Sequence, residues 1–239
     1  MDLEFGDKTR EPDIRRLFDM KDVIFDQGWL AGRDNSELYY MFRDLFLSRA
    51  DGDKLRDQNL RYDITIIPPG MMGCEFIKTA GHYHPLAPGS AVTYPELYEV
   101  LEGEALYLLQ NEDLSDVVAI NAAAGDKVLV PPNYGHITIN RSNKILKMSN
   151  FVARDFSSLY DPIKEKGGGA YFFTRDGWIK NPRCPEASEL RRADAPGGRT
   201  LSQLGLAKGK EMYPLLKEHG RLDYLTRPGD HLDLFSGVI

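Results

Sequence analysis

The feature that most constrains this chain is a series of short segments rich in β-forming residues, which runs from about residue 61 to residue 151. Gly, Pro or charged residues end each segment, as in Pro68-Pro69-Gly70 and Gly125-Asp126. We predict strands over residues 62–67, 75–79, 97–100, 105–109, 117–120, 127–130, 137–140 and 146–151. A further hairpin is predicted over residues 170–180. Many short strands at near-regular spacing predict an all-β sandwich or barrel.

The flanking segments divide the chain into three predicted parts. Residues 1–60 are expected to add strands and a helix that pack on the barrel, and residues 61–185 are expected to form the barrel itself. Residues 186–239 are expected to form a C-terminal extension with short helices near 201–206 and 212–219. Residues 34–49 fit two structures. Their apolar side chains recur at helical spacing, but the aromatic run 39–42 fits a buried strand equally well.

Composition excludes several classes of function. The 239 residues carry a net charge of −6, with no basic block, which disfavours a nucleic-acid partner. No run of about 18 apolar residues is present, so no membrane span is predicted, and the acidic start Met1-Asp2-Leu3-Glu4 does not resemble a secretory signal. The two cysteines, Cys74 and Cys184, form no CxxC motif, which favours two free thiols in a reducing cytoplasm over a disulfide.

The sequence Gly81-His82-Tyr83-His84 is the first pattern that carries chemistry. Side chains at positions i and i+2 of a strand point to the same face, so both imidazoles can reach one metal ion. A His-x-His pattern by itself is also consistent with two half-exposed histidines on a polar face.

The wider pattern resembles the two sequence motifs of the cupin superfamily. Glu96 is followed by six residues and then Gly103, and Gly125 is followed by Pro131 and His136. The resemblance implies a cupin β-barrel, also called a jelly roll, in which His82, His84, Glu96 and His136 hold one divalent metal ion. The Glu-x6-Gly interval selects Glu96 over Glu99 and Glu102. Three imidazoles and one carboxylate with open positions suit Fe²⁺, Mn²⁺, Ni²⁺, Co²⁺ or Zn²⁺.

The pattern also departs from the superfamily in three places. The interval from His84 to Glu96 is long, which predicts an inserted loop. Phe76 and Asn133 stand where glycines are expected. Asn tolerates a left-handed backbone better than most residues, so the turn at Asn133 is expected to survive.

A narrower resemblance points to the archaeal-type cupin glucose-6-phosphate isomerases. It rests on stretches in the family's order: residues 15–20 (RRLFDM), Pro69-Gly70, residues 79–84 (TAGHYH), residues 96–98 (ELY), residues 108–110 (LLQ), residues 130–132 (VPP), His136 and residues 181–183 (NPR). The resemblance implies interconversion of glucose 6-phosphate and fructose 6-phosphate, with iron as the first candidate metal and a homodimer as the assembly. It also favours a strand over a helix at residues 39–43.

The resemblance further implies substrate contacts. Thr65, Thr79 and Gly81 match positions that hold the phosphate, and Tyr160 is the one residue retained from a His-Asp-Tyr stretch. Phe151 lies near a phosphate-binding tyrosine of the family but has no hydroxyl group, so we expect that contact to be lost or replaced.

The reaction can follow either of two routes. A base can move a proton through an enediol, with Glu96 as the candidate base, or a hydride can shift between C1 and C2 of a metal-bound sugar. Tyr98 shares the face of Glu96 and is predicted either to donate to a sugar oxygen or to fill the barrel core. Two alternative functions stay open at this point: another cupin enzyme, such as a dioxygenase or an epimerase, and a sugar-binding cupin without turnover.

Overall fold

The structure is a computed structural model that describes all 239 residues. Sixteen strands run through the chain: β1 (Leu3–Phe5), β2 (Lys8–Arg10), β3 (Asp13–Arg16), β4 (Glu37–Phe42), β5 (Leu60–Ile67), β6 (Met71–Met72), β7 (Glu75–Phe76), β8 (Glu96–Glu102), β9 (Glu104–Asn111), β10 (Val117–Ala123), β11 (Lys127–Val130), β12 (Tyr134–Ile139), β13 (Leu146–Ala153), β14 (Tyr171–Thr174), β15 (Gly177–Lys180) and β16 (Arg191–Asp194).

The helices are few and short. They are α1 (Gln27–Leu30), α2 (Arg49–Asp57), α3 (Asp161–Glu165), α4 (Gly198–Gln203), α5 (Asp223–Thr226) and the 3-10 helices Leu17–Val23, Tyr213–Lys217 and Pro228–Phe235. No helix reaches both the length and the apolarity that crossing a bilayer requires.

Two larger sheets form the body of the molecule. One has six strands in the order β11-β8-β13-β5-β4-β3, and the other has four in the order β12-β9-β10-β16. All neighbours are antiparallel except β10 and β16. A main apolar core draws on both sheets, including Val100 from β8 and Leu108 from β9. This arrangement confirms the predicted all-β fold with a few peripheral helices.

The predicted strands are confirmed, with two differences. The strand predicted over residues 75–79 is interrupted after Phe76, because the chain there leaves β6 and turns toward β12, where Lys78 forms an isolated bridge with Ile139. The strand that the family resemblance favoured at residues 39–43 is confirmed over the helical alternative for residues 34–49, because residues 37–42 form β4, which pairs with β3 and β5. Leu38, Tyr39 and Phe42 are buried there, so neighbouring side chains on both faces pack against protein.

The C-terminal residues cover the outer face of the six-stranded sheet. A second apolar core joins Leu97, Leu129 and Phe151 of the sheet to Leu216 and Leu225 of the C-terminal segment. In addition, β16 extends the smaller sheet by pairing with β10. Chain segments after residue 186 therefore pack on both sheets.

A buried ion pair ties this C-terminal segment to the barrel. The Glu99 carboxylate on β8 lies 3.0 Å from the Lys127 Nζ on β11, and both side chains are buried. The backbone N–H of Met212 donates to the other Glu99 oxygen at 2.8 Å. Lys127 also donates to the Gly125 carbonyl oxygen at 2.9 Å. Each charge is thus balanced by partners of the opposite sign or polarity, as burial requires.

We predict that Glu99→Ala lowers the free energy of unfolding by about 3–5 kcal/mol, because it leaves the Lys127 ammonium buried without its counter-ion. The measurement is urea denaturation at neutral pH. The double variant Glu99→Leu/Lys127→Met removes both charges and should recover most of the loss. A Glu99→Ala variant as stable as the parent chain would contradict this account.

Candidate active site

Four side chains from three parts of the chain converge on one point. The donor atoms of His82, His84, Glu96 and His136 all lie within 4.8 Å of one another. The Glu96 Oε2 atom is 3.3 Å from His84 Nε2 and 3.2 Å from His136 Nε2. The Nε2 atoms of His82 and His84 are 3.2 Å apart. The structure therefore brings together all four residues that the sequence motifs selected.

Backbone pairing holds two of the histidines in place. His82 and His136 exchange both N–H···O=C hydrogen bonds, at 3.3 and 3.1 Å. The i and i+2 spacing does bring both imidazoles to one place, although His82 and His84 do not lie in a regular strand. This segment makes only isolated bridges, His82 with His136 and Tyr83 with Leu159, because it crosses from one partner to another rather than following one strand.

The inserted loop between His84 and Glu96 orients the His84 ring. The Nδ1 atom of His84 lies 2.8 Å from the Tyr94 carbonyl oxygen, to which it donates, so Nε2 faces the other donor atoms. The loop is anchored by Asn133, whose side-chain oxygen accepts from the Thr93 N–H at 3.1 Å and whose N–H donates to the Thr93 hydroxyl at 2.6 Å. Asn133 has φ +69°, which confirms that its turn adopts the left-handed conformation.

The donor set fits a divalent cation. The His84 Nδ1 hydrogen bond to Tyr94 leaves the Nε2 atom facing the Glu96 carboxylate at 3.3 Å, where one cation can contact both atoms. The Glu96 Oε2 atom is buried and has no hydrogen-bond partner. Imidazole nitrogens and a carboxylate are ligands that Fe²⁺, Mn²⁺ and Zn²⁺ accept.

The protonation states also suit metal binding. Burial lowers the pKa of His82 well below its ordinary value, and the nearby His136 and His84 lower it further. Burial raises the pKa of Glu96, but the contacts from His136 and His84 outweigh it and hold that pKa well below the usual range. The site therefore presents a neutral His82 and an ionised Glu96 at neutral pH, which are the forms that ligate metals.

Tyr98 borders the four donors. Its hydroxyl group lies 3.0 Å from His136 Nε2. Burial and the charge of Glu96 raise the pKa of Tyr98 well above its ordinary value, so the phenol keeps its proton. Tyr98 is thus available as a hydrogen-bond donor beside the centre.

The centre opens into a cavity. Every residue predicted to contact substrate lines this cavity: Thr65, Thr79, Gly81, Tyr98 and Tyr160. Tyr160 stands at the start of α3, with its ring centroid 5.3 Å from that of His82. Polar residues from distant parts of the sequence, from Thr65 to Tyr160, thus line one cavity.

Thr79 and Gly81 present two free hydrogen-bond donors. The Thr79 hydroxyl oxygen accepts from the Thr138 N–H at 2.9 Å, which leaves its own hydrogen free to donate. The Gly81 N–H has no backbone acceptor. Gly81 has φ +77°, and a Cβ atom there would lie 2.4 Å from Ile137 Cγ1, so no larger residue fits.

Phe151 does not face the cavity. It lies on the outer face of β13, fully buried, with its ring 4.8 Å from that of Tyr62. The residues of β13 that line the cavity are Met148, Asn150 and Val152. Phe151 therefore makes no contact in the cavity, because side chains alternate along a strand and its neighbours take the inner face.

Several residues of the cavity wall were not predicted from the sequence. Tyr39 accepts from the Ala80 N–H at 3.2 Å, and burial raises its pKa despite the opposing charge of Arg15. Arg43, Arg61 and Asp63 line the cavity together with Asn150 and Ser158. Strand alternation counted from Thr65 would have placed Asp63 and Arg61 on the inner face, so this signal was present in the predicted strand.

Comparison with known proteins gives a consistent set of similarities. A family model described as glucose-6-phosphate isomerase matches residues 14–188. Glucose-6-phosphate isomerase of Thermococcus kodakarensis is 30% identical over 176 residues, which cover 72% of this chain and 87% of that protein. The corresponding protein of Pyrococcus furiosus is 28% identical, with 71% and 86% covered. Among solved structures, oxalate decarboxylase from Bacillus subtilis matches 52% of this chain and 28% of that chain, with 20% identity and a TM-score of 0.38.

We predict that Mn²⁺ raises the thermal unfolding midpoint of protein freed of metal by chelation, because an ion that binds only the folded state stabilises it. Glu96→Gln should abolish most of this rise, since it removes the anionic ligand. Glu102→Gln, an exposed change at the far end of β8, is the matched control and should keep the rise. Differential scanning fluorimetry with Mn²⁺ at several concentrations measures the effect, and an equal rise in both variants would refute the ligand assignment.

Proposed function

The chain belongs to the glucose-6-phosphate isomerase family, and we propose that it interconverts glucose 6-phosphate and fructose 6-phosphate in the cavity beside His82, His84, Glu96 and His136. The proposal rests on one observation, which is that a candidate cation site and free hydrogen-bond donors lie in the same cavity. A cation site of three imidazoles and one carboxylate shares its cavity with free donors at Thr79 and Gly81. The family match over residues 14–188 favours an isomerase over a cupin dioxygenase, an epimerase or a non-catalytic sugar-binding protein.

The phosphate end of the sugar is assigned to Thr65, Thr79 and Gly81. A phosphate group accepts hydrogen bonds, and the Thr79 hydroxyl and the Gly81 N–H are donors without another acceptor. The absence of a Cβ at Gly81 lets an oxygen approach the backbone N–H closely. Tyr39, whose hydroxyl oxygen already accepts from Ala80, adds a third hydroxyl donor at this end.

The reacting carbons, C1 and C2, are assigned to the end of the cavity beside Glu96 and Tyr98. His82, His84, Glu96 and His136 would hold a divalent ion, which would supply Lewis acidity beside the reacting carbons when bound. Tyr98 donates its proton in a hydrogen bond to a sugar oxygen, because its raised pKa keeps the phenol neutral. Glu96 is the carboxylate nearest the reacting carbons, and its lowered pKa makes it a weak base while it is ligated. Both the enediol route and the hydride route are compatible with this arrangement.

The assembly and the cellular context are also proposals. Iron is the first candidate metal, followed by Mn²⁺, Ni²⁺, Co²⁺ and Zn²⁺, because the donor set suits all of them. A cytoplasmic location is supported by two free thiols, Cys74 and Cys184. A homodimer is supported by β3, whose outer edge ends the six-stranded sheet without a partner strand.

We predict that chelation abolishes turnover of fructose 6-phosphate in a coupled assay, and that Fe²⁺, Mn²⁺ or Ni²⁺ restores it. His136→Ala should lose both bound metal and activity, because it removes one of three imidazole ligands. The control is His219→Ala, which alters an exposed histidine of the C-terminal segment. Full activity in His136→Ala would show that the ligand assignment is wrong.

We predict that Thr79→Val raises the KM for fructose 6-phosphate roughly tenfold, because a hydrogen bond to a charged group is lost while the side-chain shape is kept. The competitive inhibition constant of inorganic phosphate should rise by a similar factor. Thr9→Val, at an exposed position far from the cavity, is the control. Unchanged values for both constants in Thr79→Val would remove this residue from the phosphate site.

A further inference from the structure

A polar row crosses the inner face of the six-stranded sheet between the two assigned ends of the substrate. In the strand register, Asn150 of β13 lies opposite Tyr98 of β8 on one side and opposite Asp63 of β5 on the other. All three line the cavity. Neighbouring strands are about 4.8 Å apart, so the row spans roughly 10 Å of cavity wall.

The row stands between the metal end and the phosphate end. Asp63 is two residues from Thr65 on β5, which places their backbones about 7 Å apart on one face. At the other end of the row, Tyr98 contacts the ligand His136. A six-carbon sugar chain held at both ends must therefore pass over Asn150 and Asp63.

Asp63 is a buried carboxylate with acceptor capacity to spare. It is 4% exposed. Its Oδ1 accepts from the Asp44 N–H at 2.9 Å and from Arg61 Nε at 3.0 Å, and its Oδ2 accepts from Arg61 Nε at 2.8 Å. Arg43 Nη1 lies 3.8 Å from Oδ2. An ionised carboxylate offers about four lone-pair sites, so Oδ2 can accept a further hydroxyl group.

Asn150 complements this carboxylate. It is 4% exposed and takes no part in the hydrogen bonds that hold Asp63 to Arg61 and Asp44. A side-chain amide both donates and accepts, so it can satisfy a hydroxyl in either role. The inward-facing neighbours of Asn150 on β13 are the apolar residues Met148 and Val152. Burying an amide on such a face costs free energy unless the amide binds a hydrogen-bond partner.

We propose that Asn150 and Asp63 are specificity-determining residues that bind the hydroxyl groups at C3 and C4 of the sugar chain. This inference rests on the proposed isomerase function and deepens it, because it names what holds the middle of the substrate. A site built to hydrogen-bond a hydroxyl group rejects an analogue that lacks it, because buried polar groups are then left unpaired.

The test compares glucose 6-phosphate with its 3-deoxy and 4-deoxy analogues. The parent chain should lose roughly tenfold or more in kcat/KM with each analogue. Asn150→Leu and Asp63→Asn should each lower kcat/KM for glucose 6-phosphate itself roughly tenfold. In each variant, kcat/KM for at least one of the two deoxy analogues should be little lower than its kcat/KM for glucose 6-phosphate. If the effects of the substitution and of the deoxy sugar do not add, the side chain contacts that hydroxyl group directly. Removing the side chain or the hydroxyl group then removes the same interaction.

Ser149→Ala is the matched control, since Ser149 neighbours Asn150 on β13 but is not a lining residue of the cavity. It should keep the full discrimination of the parent chain. The inhibition constant of inorganic phosphate should stay unchanged in Asn150→Leu, because the phosphate donors are intact, and this value also reports a folded cavity. Asn150→Ser replaces Asn150→Leu if the latter does not fold.

Two different failures can be told apart. If the parent chain turns over glucose 6-phosphate but both variants keep its discrimination against the deoxy sugars, the hydroxyl assignment is overturned and the isomerase function stands. If the parent chain turns over none of the three sugars, the proposed function fails and this inference fails with it.

Discussion

The pairing of β13 with β8 on one side and with β5 on the other determines the geometry of the whole site. This register sets Glu96 of β8 opposite Val152, Tyr98 opposite Asn150, and Thr65 of β5 opposite Met148. The proposed metal end, the middle and the proposed phosphate end of the cavity are thus successive rows on one sheet face. Because side chains alternate along a strand, a shift of one residue in either pairing would turn the inward-facing groups of the shifted strand outward.

The same alternation lets β8 carry two unrelated buried charges. Glu96 faces inward toward three imidazoles, and Glu99 faces outward toward Lys127 and the Met212 N–H. Each carboxylate is matched by its own partners, since a buried charge without compensation is strongly destabilising. One strand therefore supports the candidate metal centre on its inner face and holds the C-terminal segment on its outer face.

Much of the fold and the four donors could be predicted from local pattern. The strands around the barrel were placed well because β-forming runs are separated by Gly, Pro and turn residues. Asn133 was correctly expected to take a left-handed turn. The donors His82, His84, Glu96 and His136 were selected by motif spacing, and the structure brings them within 4.8 Å. Helical periodicity misled at residues 34–49 because β4 is buried on both faces.

The candidate donors, acceptors and strand breaks could be identified before folding, because residue type and spacing specify them without reference to distant parts of the chain. Which of these residues meet depends on the three-dimensional arrangement. In the folded chain Phe151 points away from the cavity, and a hydrogen bond to the Tyr94 carbonyl oxygen orients the His84 ring. Asp63 lies beside Asn150 on the neighbouring strand. These outcomes depend on strand register and on contacts between segments far apart in the chain, and no local pattern encodes such long-range pairings.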